Sequence, residues 1–113
     1  MTEPRLKSGI WVQAHLRRCT VEGVYALVVR KGDADAGAIA VKVYIGGRQA
    51  KLYVRSLDLD GQTIWRNPLV DDDMSDDVIE ETRVEAWLAK ESAIDPDLWI
   101  IEIEDREGRA FLD

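Results

Sequence analysis

Two adjacent glycines, Gly46-Gly47, separate two runs of alternating apolar residues. Such a pair supplies the positive backbone angles of a two-residue turn, and so short a link can only join antiparallel strands. In the first run Ile39, Val41, Val43 and Ile45 face one way, and Ala40, Lys42 and Tyr44 the other. With Gly46-Gly47 as the turn, Ile45 faces Arg48, Val43 faces Ala50 and Val41 faces Leu52. That register puts Leu52 and Val54 on the buried face. It also sets Lys42 opposite Lys51 and Tyr44 opposite Gln49, with Tyr53 and Arg55 continuing the same face. A second turn, Asp60-Gly61, pairs 56–59 with 62–65, and Asn67-Pro68 ends that strand.

The other elements follow from periodicity and punctuation. A helix is expected from Gly9 to Glu22, with Ser8 as its cap and Gly23 at its end. The nearly all-apolar run Val24 to Val29 suits a strand covered on both faces. The acidic run from Asp71 to Asp77 leads into a helix from Ser75 to Ser92, where acids complement the helix dipole. Asp77 and Glu80 have capping-box spacing, and Asp95-Pro96 stops the helix. Leu98 to Glu104 is a strong strand, and Ala110-Phe111-Leu112 a short returning edge strand. The expected fold is α+β: an antiparallel sheet of four to six strands with one or two helices on a face, in the order α-β-β-β-β-α-β(-β). A chain of 113 residues holds this as one domain, 1–113.

Composition narrows the class. With 46% hydrophobic and 33% charged residues, the chain is neither a disordered tail nor a fibre. Its apolar stretches are too short for a membrane span. One cysteine, Cys19, permits no internal disulfide and suits a reducing cytoplasm, and the N-terminus lacks a signal-peptide pattern. The net charge of −7 opposes general nucleic-acid binding. It is unevenly spread: residues 1–69 carry 11 Lys/Arg against 6 Asp/Glu, and residues 70–113 carry 4 against 16.

Two surfaces stand out. Each helix carries two apolar stripes, whereas a helix lying on a sheet needs one. Val12, Leu16 and Cys19 oppose Ile10, Ala14 and Val21; Val84, Trp87 and Leu88 oppose Val78, Ile79, Thr82, Ala86 and Ala89. The surplus points to self-association as a homodimer, or to another protein partner, through Val12, Leu16, Val84, Trp87 and Leu88. The second surface is the hairpin face of Lys42, Tyr44, Lys51, Tyr53 and Arg55. Cations interleaved with aromatic rings are how sheets stack single-stranded nucleic acid. The competing account is internal, with Glu102 and Glu104 of the last strand pairing with Lys42 and Lys51.

Other constellations carry less. His15 and Cys19 share a helical face, but no second Cys or His completes a metal site, and Cys19 among apolar neighbours reads as a small buried hydrophobe. His15 reads as a boundary residue. Arg17-Arg18 with Trp11 form a cationic helix face that reads as solvated or compensated by the chain's own acids. Asp33-x-Asp35-x-Gly37 begins like a calcium loop but fails at its fifth, sixth and twelfth positions. Asp33, Asp35, Asp95 and Asp97 suit acid–base chemistry only if their loops converge on a cleft. No catalytic residue, metal or cofactor is assigned.

Several segments carry a family resemblance: Arg5-x-Lys7, Trp11, Arg17-Arg18, the loop Lys31-Gly32-Asp33-Ala34-Asp35-Ala36-Gly37, and Asp95-Pro96-Asp97-Leu98-Trp99 running into Glu102-Ile103-Glu104-Asp105. In these the chain resembles the bacterial family named domain of unknown function 1491. The resemblance implies a compact cytoplasmic bacterial domain and transfers no catalytic residue. The expected function is a small, non-catalytic, self-associating protein-interaction module. The alternatives are an anion or single-strand binder on the hairpin face, and a small-molecule enzyme using the clustered aspartates.

Overall fold

The structure is a computed structural model that describes residues 7–57, 59–70 and 77–112. The chain runs α1 (Ser8–Val21), β1 (Tyr25–Arg30), β2 (Ile39–Gly46), β3 (Gln49–Leu57), β4 (Thr63–Arg66), β5 (Ile79–Glu80), α2 (Glu81–Ile94) and β6 (Trp99–Glu104). The fold is α+β, and the sheet order is β1-β6-β2-β3-β4, with β5 paired to β3. The sheet is mostly antiparallel. β2 and β6 are its one parallel pair among the described residues, with Ile39 beside Trp99 and Val43 beside Ile103.

The helices lie on opposite faces of the sheet, not together on one. Alternation along the strands makes two cores. On the α1 side, Val12 and Cys19 meet Ile39, Val41, Val43, Trp99, Ile101 and Ile103. On the α2 side, Val84 and Leu88 meet Ala40, Ala50, Leu52, Leu98 and Ile100. With both faces of β2 covered, its residues from Ile39 to Val43 are all buried, Lys42 included.

The first hairpin turns one residue later than its glycine pair suggests. Gly46 pairs with Gln49, so the turn is Gly47-Arg48, with φ of 62° and 63°. Two positive angles make the type I′ turn that matches strand twist. The pairing is irregular between Tyr44 and Gly46. A slip of one residue exchanges the faces of a strand. Lys42 therefore faces Leu52, Val43 faces Lys51 and Tyr44 faces Ala50, so the expected Lys42–Lys51 pair does not form. The second hairpin has a longer loop than Asp60-Gly61 implies, since Leu57 pairs with Thr63. Asp58 lies outside the described residues.

Other boundaries move for local reasons. α2 begins at Glu81 rather than Ser75, and no side chain caps it, so the Asp77–Glu80 box does not form. The acidic run 71–76 lies outside the described residues. Ser8 is not a cap either; its buried hydroxyl donates to the Gly37 carbonyl at 2.6 Å. Ala110 to Leu112 form no strand and pack instead on the α1-side core. There His15 Nε2–H donates to the Ala110 carbonyl at 2.8 Å, and Arg18 donates to Phe111 O at 2.8 Å.

The two most distinctive loops dock on one another. Asp33 N–H donates to Asp97 O, and Trp99 Nε1–H donates to Asp33 O at 2.7 Å. The approach is so close that a Cβ on Gly32 or Gly37 would sit 2.1 Å from the Asp97 carbonyl oxygen. Backbone cannot yield as a side-chain tip can. Gly37→Ala is therefore expected to destabilise the fold by about 3 kcal/mol, the upper end of overpacking costs. Urea denaturation measures it; a midpoint like the wild type's would contradict the contact.

Candidate functional site

The hairpin residues are divided between the two sheet faces. Lys51, Tyr53 and Arg55 lie on the α1 side, where they meet side chains of this chain. Lys51 Nζ is 3.5 Å from an Asp77 carboxylate oxygen, and Tyr53 O–H donates to Asp77 at 3.1 Å. Arg55 donates to Ser8 Oγ at 3.1 Å. Burial pushes the Tyr53 phenol up to about 12, and the neighbouring Asp77 charge adds to the shift. Tyr44 and Lys42 lie on the α2 side, the Lys42 ammonium 5.9 Å from the Tyr44 ring centre. No single basic and aromatic surface results.

Lys42 is the most enclosed charge, at 2% exposure in the middle of the sheet. Its ammonium donates to Glu81 at 2.7 Å and to Glu85, both from α2, and lies 3.0 Å from Glu102 on β6. Glu81 and Glu85 reach it together because residues four apart share a helix face. Burial lowers the proton affinity of Lys42, but hydrogen bonds to the three glutamates outweigh it and hold the pKa above the ordinary 10.5. A raised value means this stabilisation is complete below the unfolded pKa and is lost only as pH climbs through the folded one. Three carboxylates around one ammonium leave the cluster net negative. Glu85 is half exposed and Glu102 about a quarter exposed, whereas the Lys42 side chain is 3% exposed. Solvent there meets the acids and not the base.

Beside this cluster the α2 face opens. A cavity of about 200 Å³ is lined by Val29, Lys42, Glu85, Leu88, Ala89, Ser92, Ile100 and Glu102. Its outer wall is β1, an edge strand with only β6 beside it among the described residues. Leu27 pairs with Glu102 and Tyr25 with Glu104, so Tyr25 and Leu27 share the face of these acids. Tyr25 is 63% exposed and Val29 is 54% exposed. The composition of this run fits a strand covered on both sides, yet one side of it is open. That contradiction is the one signal in the sequence for these residues, and it is visible only once the strand order is known.

The residues expected at a subunit interface lie within this one chain. Val12, Val84 and Leu88 are buried, and Leu16 and Trp87 are half-buried against the α1-side and α2-side cores. The stripes facing outward are the opposite ones, with Ile10 and Val21 exposed. The sheet therefore takes one stripe from each helix, the one that carries these five residues, and offers a separate face to each.

The remaining candidates are absorbed by structure. The Asp33 carboxylate accepts the N–H groups of Asp35 and Ala36, and Asp95 accepts that of Asp97, so both close local turns. Asp35 lies 3.6 Å from Lys7. The two loops converge through backbone contacts, and their acids line neither the cavity above nor a second of about 340 Å³ beside Tyr44, Glu104 and Arg106. His15 is buried, not a boundary residue, and stacks on Trp11 at 4.7 Å. Cys19 is fully buried, and burial raises its thiol pKa against the lowering charge of Arg18, which makes it a poor nucleophile. Among the described residues no three His, Cys, Asp or Glu side chains gather as a metal-ligand set, and no helix is long and apolar enough to cross a membrane.

Two measurements check this geometry. Lys42→Met strands three carboxylates together and is expected to cost on the order of 3 kcal/mol. Glu85→Gln, at a half-exposed position, is expected to cost under about 1 kcal/mol; equal losses in urea titrations would contradict the burial of Lys42. In an ultraviolet titration one tyrosine is expected to ionise near pH 12. Asp77→Asn removes the neighbouring negative charge and lowers that value; an unchanged curve would remove the Tyr53–Asp77 contact.

The comparisons agree with this fold. No curated protein matches the chain. A crystal structure of a DUF1491 family protein from Caulobacter crescentus CB15 is similar at 38% identity and a TM-score of 0.83, covering 96% of this chain and 95% of the other. A solution structure of a DUF1491 family protein from that organism matches at 38% identity and a TM-score of 0.80, covering 97% and 94%. The solution structure of protein Atu0922 from A. tumefaciens matches at 29% identity and a TM-score of 0.70, covering 89% and 86%. The family model described as protein of unknown function (DUF1491) matches residues 6–113, and the chain belongs to that family.

Proposed function

We propose that this protein is a non-catalytic protein-interaction module whose contact surface is the open β1 side of the α2 face. One observation carries the reading. A strand with the composition of a buried one stands at the sheet edge, with Tyr25 and Val29 more than half exposed beside an apolar-walled cavity. Edge strands usually carry charge, proline or a cover, because their outward N–H and C=O groups pair readily with another chain. Here Arg30 bonds to carbonyls of this chain, the pairing is regular from Tyr25 to Val28, and no described strand covers the edge; such an apolar edge suits strand addition by a partner.

This reading replaces the five-residue interface on the helices and needs no acid–base pair. The hairpin-face anion reading loses support because Lys42, Lys51 and Arg55 each meet groups of the same chain.

The test is site-specific photo-crosslinking in cells, with a benzoylphenylalanine at position 25 and, as the control, at position 94, where Ile94 is 67% exposed. A protein adduct is expected at 25, and Val29→Asp is expected to abolish it while changing stability by under about 1 kcal/mol. Equal adducts at both positions, or adducts indifferent to Val29→Asp, would overturn the proposal.

A further inference from the structure

We infer that the occupant of the β1 edge is a basic strand of another protein, which lays a lysine or arginine side chain across β1 into the cavity between Glu85 and Glu102. This rests on the interaction reading above and adds the chemistry of the partner.

The argument is one of reach and charge. Neighbouring strands lie about 4.8 Å apart, so a strand added to β1 stands about 10 Å from β6. A side chain on its α2-facing side must first pass over Leu27 and Val29, which are apolar, before it meets Glu102. A lysine or arginine fits both requirements: its methylene stem covers apolar surface while its head reaches a polar site. At the far side of the cavity Lys42 approaches the same carboxylates from β2 and leaves them net negative. A second cation completes the neutralisation that the first begins. Glu104, beside Tyr25 on the same face, extends the negative rim along the strand. The complementarity also discriminates against a second copy of this chain, since two molecules of net charge −7 repel.

The experiment uses the full chain, nuclear magnetic resonance and three blocked six-residue peptides. In each, valine alternates with lysine, with glutamate, or with 2,4-diaminobutyrate, a cation on a shorter stem, at a pH low enough to keep that amine charged. The lysine peptide is expected to shift the β1 amides, slow their hydrogen exchange, and bind about tenfold more weakly to Glu85→Gln. The glutamate peptide is expected not to bind, and the short-stemmed cation to bind as weakly as the lysine peptide does to Glu85→Gln. Equal binding of the two cationic peptides, or lysine-peptide shifts away from β1, overturns insertion into the cavity. Binding of the glutamate peptide at β1 overturns the basic partner but leaves the edge-strand module standing. Concentration-dependent protection of β1 without any peptide overturns it in favour of a second copy. Failure of the interaction reading itself appears separately, as absent crosslinks at position 25 in cells.

Discussion

Lys42 sits in the central strand of a sheet covered on both faces, a place where an unpaired ammonium would cost several kcal/mol. Three elements must arrive together to prevent that. β2 brings the lysine, β6 brings Glu102 in parallel register beside it, and the first turns of α2 bring Glu81 and Glu85. The parallel pairing matters here. It sets residue 102 beside residue 42, which a shift by one residue would replace with an isoleucine. The charge cluster therefore specifies strand register and helix placement at once, a use of buried polar groups known from other folds. It also accounts for a small part of the uneven charge of the chain, since the base comes from the first half and all three acids from the second.

The α1 side is organised differently, by backbone contacts. Gly32 and Gly37 let one loop press against the Asp97 carbonyl, and Trp99 pins it from the sheet through the Asp33 carbonyl. Ser8 and Arg55 then join α1 and β3 to that loop. The 31–37 loop and the 95–99 segment, both part of the family resemblance, are thus contact partners, and Asp33 and Asp95 work as turn formers. A motif of glycines and aspartates looks like a ligand loop in one dimension. In three dimensions the glycines make room and the carboxylates satisfy local N–H groups.

The elements were legible where a physical signal was local. Apolar alternation located β2 and β3, and Asp95-Pro96 stopped α2 one residue after Ile94. Errors arose where the deciding term was long-range. Gly46-Gly47 was the obvious turn, but Gly46 serves the irregular pairing and Arg48 accepts a positive φ of 63°. That single slip moved Lys51, Tyr53 and Arg55 to the other face and dissolved the basic patch. Alternation along the last strand offers Glu102 as an internal partner for Lys42, whereas periodicity does not offer Glu81 and Glu85, because it leaves open which sheet face α2 covers. Of the two stripes on each helix, the sheet covers the one that carries Val12 and Leu16 in α1 and Val84 and Leu88 in α2, while Ile10 and Val21 of the opposite α1 stripe stay exposed.

The edge position of β1 was not legible at all, since nothing local distinguishes a covered apolar strand from an exposed one. Its exposure still leaves traces of control. The pairing with β6 shifts between Val28 and Arg30, and a bulge limits how far a foreign strand can extend along an edge. Arg30 is turned inward, donating to the Leu98 carbonyl at 2.6 Å and to Pro96 O. It therefore gives the edge no free cation with which to attract acidic chains. In the regular part, Tyr25 and Leu27 on the α2 side stand beside Glu104 and Glu102. Backbone hydrogen bonds supply affinity without regard to sequence, so selectivity at such an edge must come from side chains lying across it. Here the acids that hold Lys42 in the interior also bias the surface, and a single cluster serves both the fold and the choice of partner.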